Sequence, residues 1–150
     1  MTANVMLSRT ATILFVALCA TACTPADPIA VSNAWVRAPA PGQGVAAGYF
    51  DIVNHGPSAI ALIGAHSDVA RAIEIHTHIQ DGDLMRMRKL DTVALGRDET
   101  VSFAAGGHHL MLLGFDAVTS SPIPITLLFS DATQRTVMFE MRTSSGATQR

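Results

Sequence analysis

From Ile29 onward the chain never sustains helical periodicity over a dozen residues, and that absence constrains its fold more than any other feature. Short alternating runs rich in β-branched and aromatic residues take the place of helices. They cover residues 30–37, 46–54, 60–65, 72–79, 84–90, 100–103, 109–113, 124–130 and 135–142. Turn-forming residues separate them: Pro39 to Gly42, Asn54 to Pro57, Asp81-Gly82-Asp83, Gly106-Gly107 and Ser120-Ser121-Pro122. Asp81-Gly82 between two such runs predicts a hairpin. Many short strands with frequent turns predict an all-β sandwich or barrel.

With 150 residues there is room for one domain with a single substantial core. Neither an internal repeat nor a low-complexity segment breaks it up. Hydrophobic residues make up 49% of the chain and charged residues 15%, a balance that excludes a disordered chain. Part of the apolar content is N-terminal, where Arg9 precedes the run from Ala11 to Ala20 and then Thr21-Ala22-Cys23. A basic residue, a short apolar run and the A-x-A end at Ala20-Thr21-Ala22 predict a secretory signal over 1–22. The run falls short of the roughly 20 apolar residues that span a bilayer. Ala20-Thr21-Ala22-Cys23 also resembles a bacterial lipobox, in which Cys23 becomes the lipidated first residue, although Ala20 stands where such boxes usually carry Leu. Ordinary cleavage and membrane attachment through Cys23 are both open on the sequence. The resulting division is a signal over 1–22, a short tether with Pro25 and Pro28 over 23–29, a domain over 30–143 and a tail over 144–150.

Cys19 and Cys23 are the only cysteines, so the domain contains neither a disulfide nor an internal thiolate. A blue-copper electron-transfer site, which needs a thiolate beside two imidazoles, is therefore excluded. Cysteine-based structural zinc is excluded on the same ground. Loss of Arg9 with the signal leaves nine Lys and Arg against twelve Asp and Glu, a net charge of −3. No basic run exceeds Arg86 to Lys89 and aromatics are sparse, so no nucleic-acid partner is expected.

Four side chains carry the chemistry: His76, Met87, His109 and Met111. Two imidazoles and two thioethers make a poor site for hard ions and a good one for Cu(I), which accepts sulfur donors and needs no anionic oxygen. His109 and Met111, two apart on one strand, project from the same face. Gly106-Gly107 would let the chain turn sharply into that strand. The hairpin at Asp81-Gly82 can make His76 and Met87 neighbours despite their separation. Each residue also has a plainer reading. Methionine commonly fills gaps in cores: Met87 alternates with Arg86 and Arg88 on a half-exposed strand, and Met111 sits in the apolar run 110–113. His55 and His66, near turns, read as solvated.

The spacing His76, ten residues, Met87, twenty-one residues, His109, one residue, Met111 resembles the pattern of the PCuAC family of bacterial periplasmic copper chaperones. The text around it is similar too. Ala34 to Ala38 with Pro39 and Pro41-Gly42, then Ala47 to Phe50, Asn54 with Gly56, Leu84 to Arg88 and Gly106 to Leu112 match its recognisable blocks. The resemblance covers about residues 29–142. It implies a cupredoxin-like or immunoglobulin-like antiparallel β-sandwich binding one Cu(I) ion near the surface. It also implies delivery of that ion toward the CuA or CuB centre of cytochrome c oxidase, often alongside a thiol-containing Sco-type protein. The chain departs from the family at His78, where members often carry methionine, and His78 either substitutes there or faces solvent. No His or Met in 144–150 offers a second site. Neutral ligands, with no catalytic base patterned beside them, fit a carrier that hands over copper by ligand exchange rather than an enzyme. A periplasmic copper buffer and a structural lipoprotein binding metal incidentally are the alternatives.

Overall fold

The computed structural model describes residues 28–116 and 121–143, and every regular element among them is a strand. The signal, Cys23 and the tail over 144–150 lie outside the described residues. In chain order the strands are β1 (Ile29–Arg37), β2 (Val45–Asn54), β3 (Ile60–His66), β4 (Ala70–Asp81) and β5 (Leu84–Leu90). There follow β6 (Val93–Leu95), β7 (Thr100–Phe103), β8 (His109–Phe115), β9 (Ile123–Phe129) and β10 (Gln134–Arg142). All nine strands predicted from periodicity are present. The unforeseen one, β6, is three residues long and too short to show a period.

Seven strands close on themselves in the order β4-β8-β2-β1-β10-β9-β3, with β3 returning to β4 through the pairing of Ala65 with Ile73. Three short strands hang from this ring: β5 on β4, β6 on β3 and β7 on β2. The strand pairings are antiparallel except for β1 with β10. Closure leaves the seven ring strands no free hydrogen-bonding edge, whereas β5 pairs on one side only.

Alternation along the strands fills the interior. On β9, Ile123, Ile125, Leu127 and Phe129 are buried, and on β8 Leu110 and Leu112 are fully enclosed. Phe50 stacks on Phe103 with centroids 4.3 Å apart and meets the edge of Phe139 at 5.6 Å. Such pairs add about 0.5–1.5 kcal/mol beyond the area they bury. Gly48 lets β2 approach β8 closely, since a Cβ there would stand 3.3 Å from the Cβ of Leu110.

The buried Asn54 ties the far end of the ring together. Its Nδ2 donates to the carbonyls of Ser58 (2.8 Å) and Leu95 (3.1 Å), and its Oδ1 accepts from the Gly56 amide at 2.9 Å. A Cβ at Gly56 would lie 2.8 Å from that Oδ1, so Asn54 and Gly56 are fitted to each other.

Candidate metal site

Because Leu110 and Leu112 point inward, the same pleat turns His109 and Met111 to the outer face of β8. The ladders on either side then decide what surrounds them. Across β4, His109 faces His76 and Met111 faces Glu74; across β2, Met111 faces Ala47. The row continues through Ala47 to Arg37 on β1 and Arg142 on β10. On the other side of β4, His78 faces Met87 and His76 faces Lys89. His76, His78, Met87, His109 and Met111 therefore share one face of a three-strand patch, β5-β4-β8.

A cavity of about 440 Å³ opens on this face, lined by His78, Met87, His109 and Met111 together with Arg37 and Tyr49. His76 stands beside the lining rather than in it. Its ring centroid is 6.0 Å from that of His109, whereas the His78 ring is nearer at 5.1 Å. The expected adjacency of His76 and Met87 is thus replaced by a direct His78–Met87 pair, with His76 on the diagonal. Among the described residues, no three His, Cys, Asp or Glu side chains are placed to hold a metal ion.

The two imidazoles opposed across β4 and β8 are held in opposite ways. His109, only 4% exposed, has its Nδ1 3.1 Å from the Gly107 carbonyl. A carbonyl can only accept, so Nδ1 carries the proton and Nε2 keeps its lone pair for a ligand. Gly106, at φ +83°, makes the turn that brings this carbonyl into place. Burial lowers the His109 pKa, and the neighbouring His78, His76 and Arg37 push the same way against the Gly107 hydrogen bond. For His76 it is Nε2 that is engaged, 2.9 Å from Glu74 Oε2, while the other Glu74 oxygen accepts from Lys89 Nζ at 2.7 Å. Hydrogen bonds from Lys89 and then His76 hold the Glu74 carboxyl below its usual range. Nδ1 of His76 and Nδ1 of His78 are both buried and make no hydrogen bond.

The plainer readings of the sulfur residues do not hold for Met87. At 56% exposure it belongs to no core, because β5 is exposed along both faces. Met111 is half-buried on the site face. His55 and His66 are exposed, as expected, and His55 pairs with Asp98 at 3.0 Å. Sequence reasoning missed Arg37 and Tyr49. The Arg37 guanidinium donates to the Tyr49 hydroxyl and lies 5.3 Å over its ring, and Trp35 packs on the same ring at 4.6 Å. The alternation of Trp35 and Arg37 along β1 was the available signal. A larger cavity of about 600 Å³ opens at the opposite end of β1 and β2, between Asn54 and Phe129, and neither imidazole nor thioether lines it.

Comparison with known proteins identifies the family and the fold. Residues 29–141 match the LpqE-like family, described as "Putative lipoprotein LpqE-like", and the chain belongs to it. "Putative lipoprotein Lxx21020" of Leifsonia xyli subsp. xyli (strain CTCB07) is 31% identical over 127 residues, 83% of this chain and 75% of that protein. The fold is that of PCuAC domains. A copper-bound PCuAC domain from PmoF2 superposes with a TM-score of 0.67 at 24% identity, covering 78% of this chain and 94% of that one. The solution structure of CuI-DR1885 from Deinococcus radiodurans gives 0.56 at 25% identity, over 84% and 85%.

Proposed function

From its place in the LpqE-like family, we propose that this protein is an exported carrier of one Cu(I) ion, held by His76, Met87, His109 and Met111 and released by ligand exchange. The observation that carries the reading is the pairing of His109 and Met111 on one strand face, with the His109 Nε2 lone pair free, in a cavity that Met87 also lines. The Cu(I)-bound form of DR1885, whose fold is alike, supports the choice of ion.

The chemistry follows from the donors. Thioethers prefer a soft monovalent ion, and neutral imidazoles tighten the site without cancelling its charge. With no anionic ligand the ion stays cationic, which suits an open site of this kind. A shallow site lets an acceptor's donors bind before the first set leaves, so no bare ion passes through solvent. Nothing in such an exchange needs a substrate cleft, an oxidant or a catalytic base, and the protein acts as a carrier rather than an enzyme.

The acceptor in this reading is the copper centre of cytochrome c oxidase, reached directly at its CuA subunit or through a Sco-type protein. The periplasm is the place of action, and the lipoprotein names of the family and of the Leifsonia relative favour attachment through Cys23. Simultaneous change of His76, Met87, His109 and Met111 to Ala tests the whole reading in cells. Oxidase activity should fall at low copper, recover when copper is added, and do so at normal protein abundance. Full activity at low copper would sink the delivery role, and a defect confined to copper tolerance would identify a buffer. Loss of fatty-acid labelling in Cys23→Ser checks the anchor.

A further inference from the structure

The site face holds one more nitrogen donor than a four-ligand carrier needs. His78 stands opposite Met87, lines the cavity that His76 does not, and sits closer to the His109 ring than His76 does. Its Nδ1 is buried and makes no hydrogen bond, as is also true of His76 Nδ1, so the two imidazoles differ in what surrounds them rather than in that atom. His76, by contrast, lies on the ring side of the patch. Its side chain is 14% exposed, its Nε2 is engaged by Glu74, and Lys89 braces that carboxylate. One imidazole is thus fastened to the body of the fold, while the other lies on the path from His109 to the exposed Met87.

Resting on the copper-carrier reading, we propose that His78 is the exit ligand. It takes the ion from His76 as copper moves toward Met87 and the incoming acceptor. In this step a His78 nitrogen lone pair forms a bond to Cu(I) as the bond from His76 breaks. No electron is transferred, and the His76 Nε2 proton stays on its hydrogen bond to Glu74. His109 and Met111 hold the ion throughout. The two imidazoles divide their work: His76 sets how tightly copper rests, and His78 sets how fast it leaves.

The test is copper transfer from the loaded mature chain to the Cu(I) chelator bathocuproine disulfonate, with affinity measured by competition on the same samples. His78→Ala should slow transfer at least about tenfold while changing affinity less than about threefold, since only a barrier is altered. His78→Met, which restores a soft donor, should return the rate to near wild type. His76→Ala should do the reverse, weakening affinity. A wild-type rate in His78→Ala overturns the proposal. So does an affinity loss in His78→Ala as large as in His76→Ala, which would make His78 a resting ligand. Should His78→Ala unfold, a slow rate in folded His78→Gln supports the proposal and a wild-type rate overturns it. Failure of the underlying reading looks different: the wild-type chain would take up no Cu(I), or His109→Ala would bind it as well as wild type.

Discussion

Glu74 stands directly opposite Met111 in the β4–β8 ladder, yet its carboxylate is turned to His76 and Lys89. A carboxylate on the ligand face is thereby kept as the partner of an imidazole. Anions placed behind a ligating histidine raise its basicity and fix its ring, and their loss typically costs about 10–100-fold in metal affinity. Glu74→Gln should accordingly weaken Cu(I) binding about tenfold, with folding intact. Competition titration decides it, and an unchanged affinity would show that His76 is not a ligand.

Direct ligands are worth no less than their outer partners. His109→Ala and Met111→Ala should each lower Cu(I) affinity by at least about tenfold, and His55→Ala and His66→Ala should leave it alone. Comparable losses in all four variants would undo the ligand assignment. Sulfur donors should also make the wild-type protein prefer Cu(I) to Zn(II), so tight zinc binding through the same residues would contradict the donor set.

Acid should act on the site and on the fold together. Protons compete for the imidazoles, so Cu(I) affinity should fall as pH drops below the ordinary histidine value of about 6.5, with residual binding from the thioethers. Burial lowers the His109 pKa, so the unfolded chain takes up that proton first. Its contribution to stability is whole above about pH 6.5 and is lost as pH falls through the folded pKa. Urea melts of the copper-free protein at neutral and mildly acidic pH should show this loss in wild type and less of it in His109→Gln. An equal pH dependence in the two would refute the assignment.

Asn54→Ala separates fold from site. It strands two carbonyls and an amide at the end of the ring away from the candidate metal site, and it should destabilise the protein by about 2–3 kcal/mol. Denaturation should report that loss while Cu(I) affinity stays at the wild-type value. A matching fall in affinity would mean that the two ends of the ring are coupled.

How much of this was legible in the sequence depended on the scale of each signal. Period-two alternation located nine strands, and Gly82 with φ +62° confirms the hairpin. The hairpin's register was another matter. With Asp81-Gly82 as the central pair, His76 would face Met87. The central residues are instead Gly82 and Asp83, because Asp81 pairs with Leu84. The slip of one pleat keeps the ligands on the same face and exchanges His76 for His78 as the partner of Met87. The parallel pairing of β1 with β10, which carries the Arg37 row on to Arg142, joins residues a whole domain apart and leaves no local trace. Nor does the Gly107 carbonyl that sets the His109 tautomer, since backbone acceptors carry no residue code.

The free outer edge of β5 gives the ligand set an uneven mechanical footing. His109 and Met111 ride on β8, which β2 and β4 clamp on both sides, so displacing them means deforming the closed ring, while His76 on β4 sits between β8 and β5. Met87 rides on an edge strand that pairs with β4 alone, three residues before Leu90 packs against the core. Grip and release are thus assigned to parts of different stiffness. In the proposed carrier, a substitution at the exposed Met87 is therefore the one expected to retune the speed of handover with least effect on the durability of the fold.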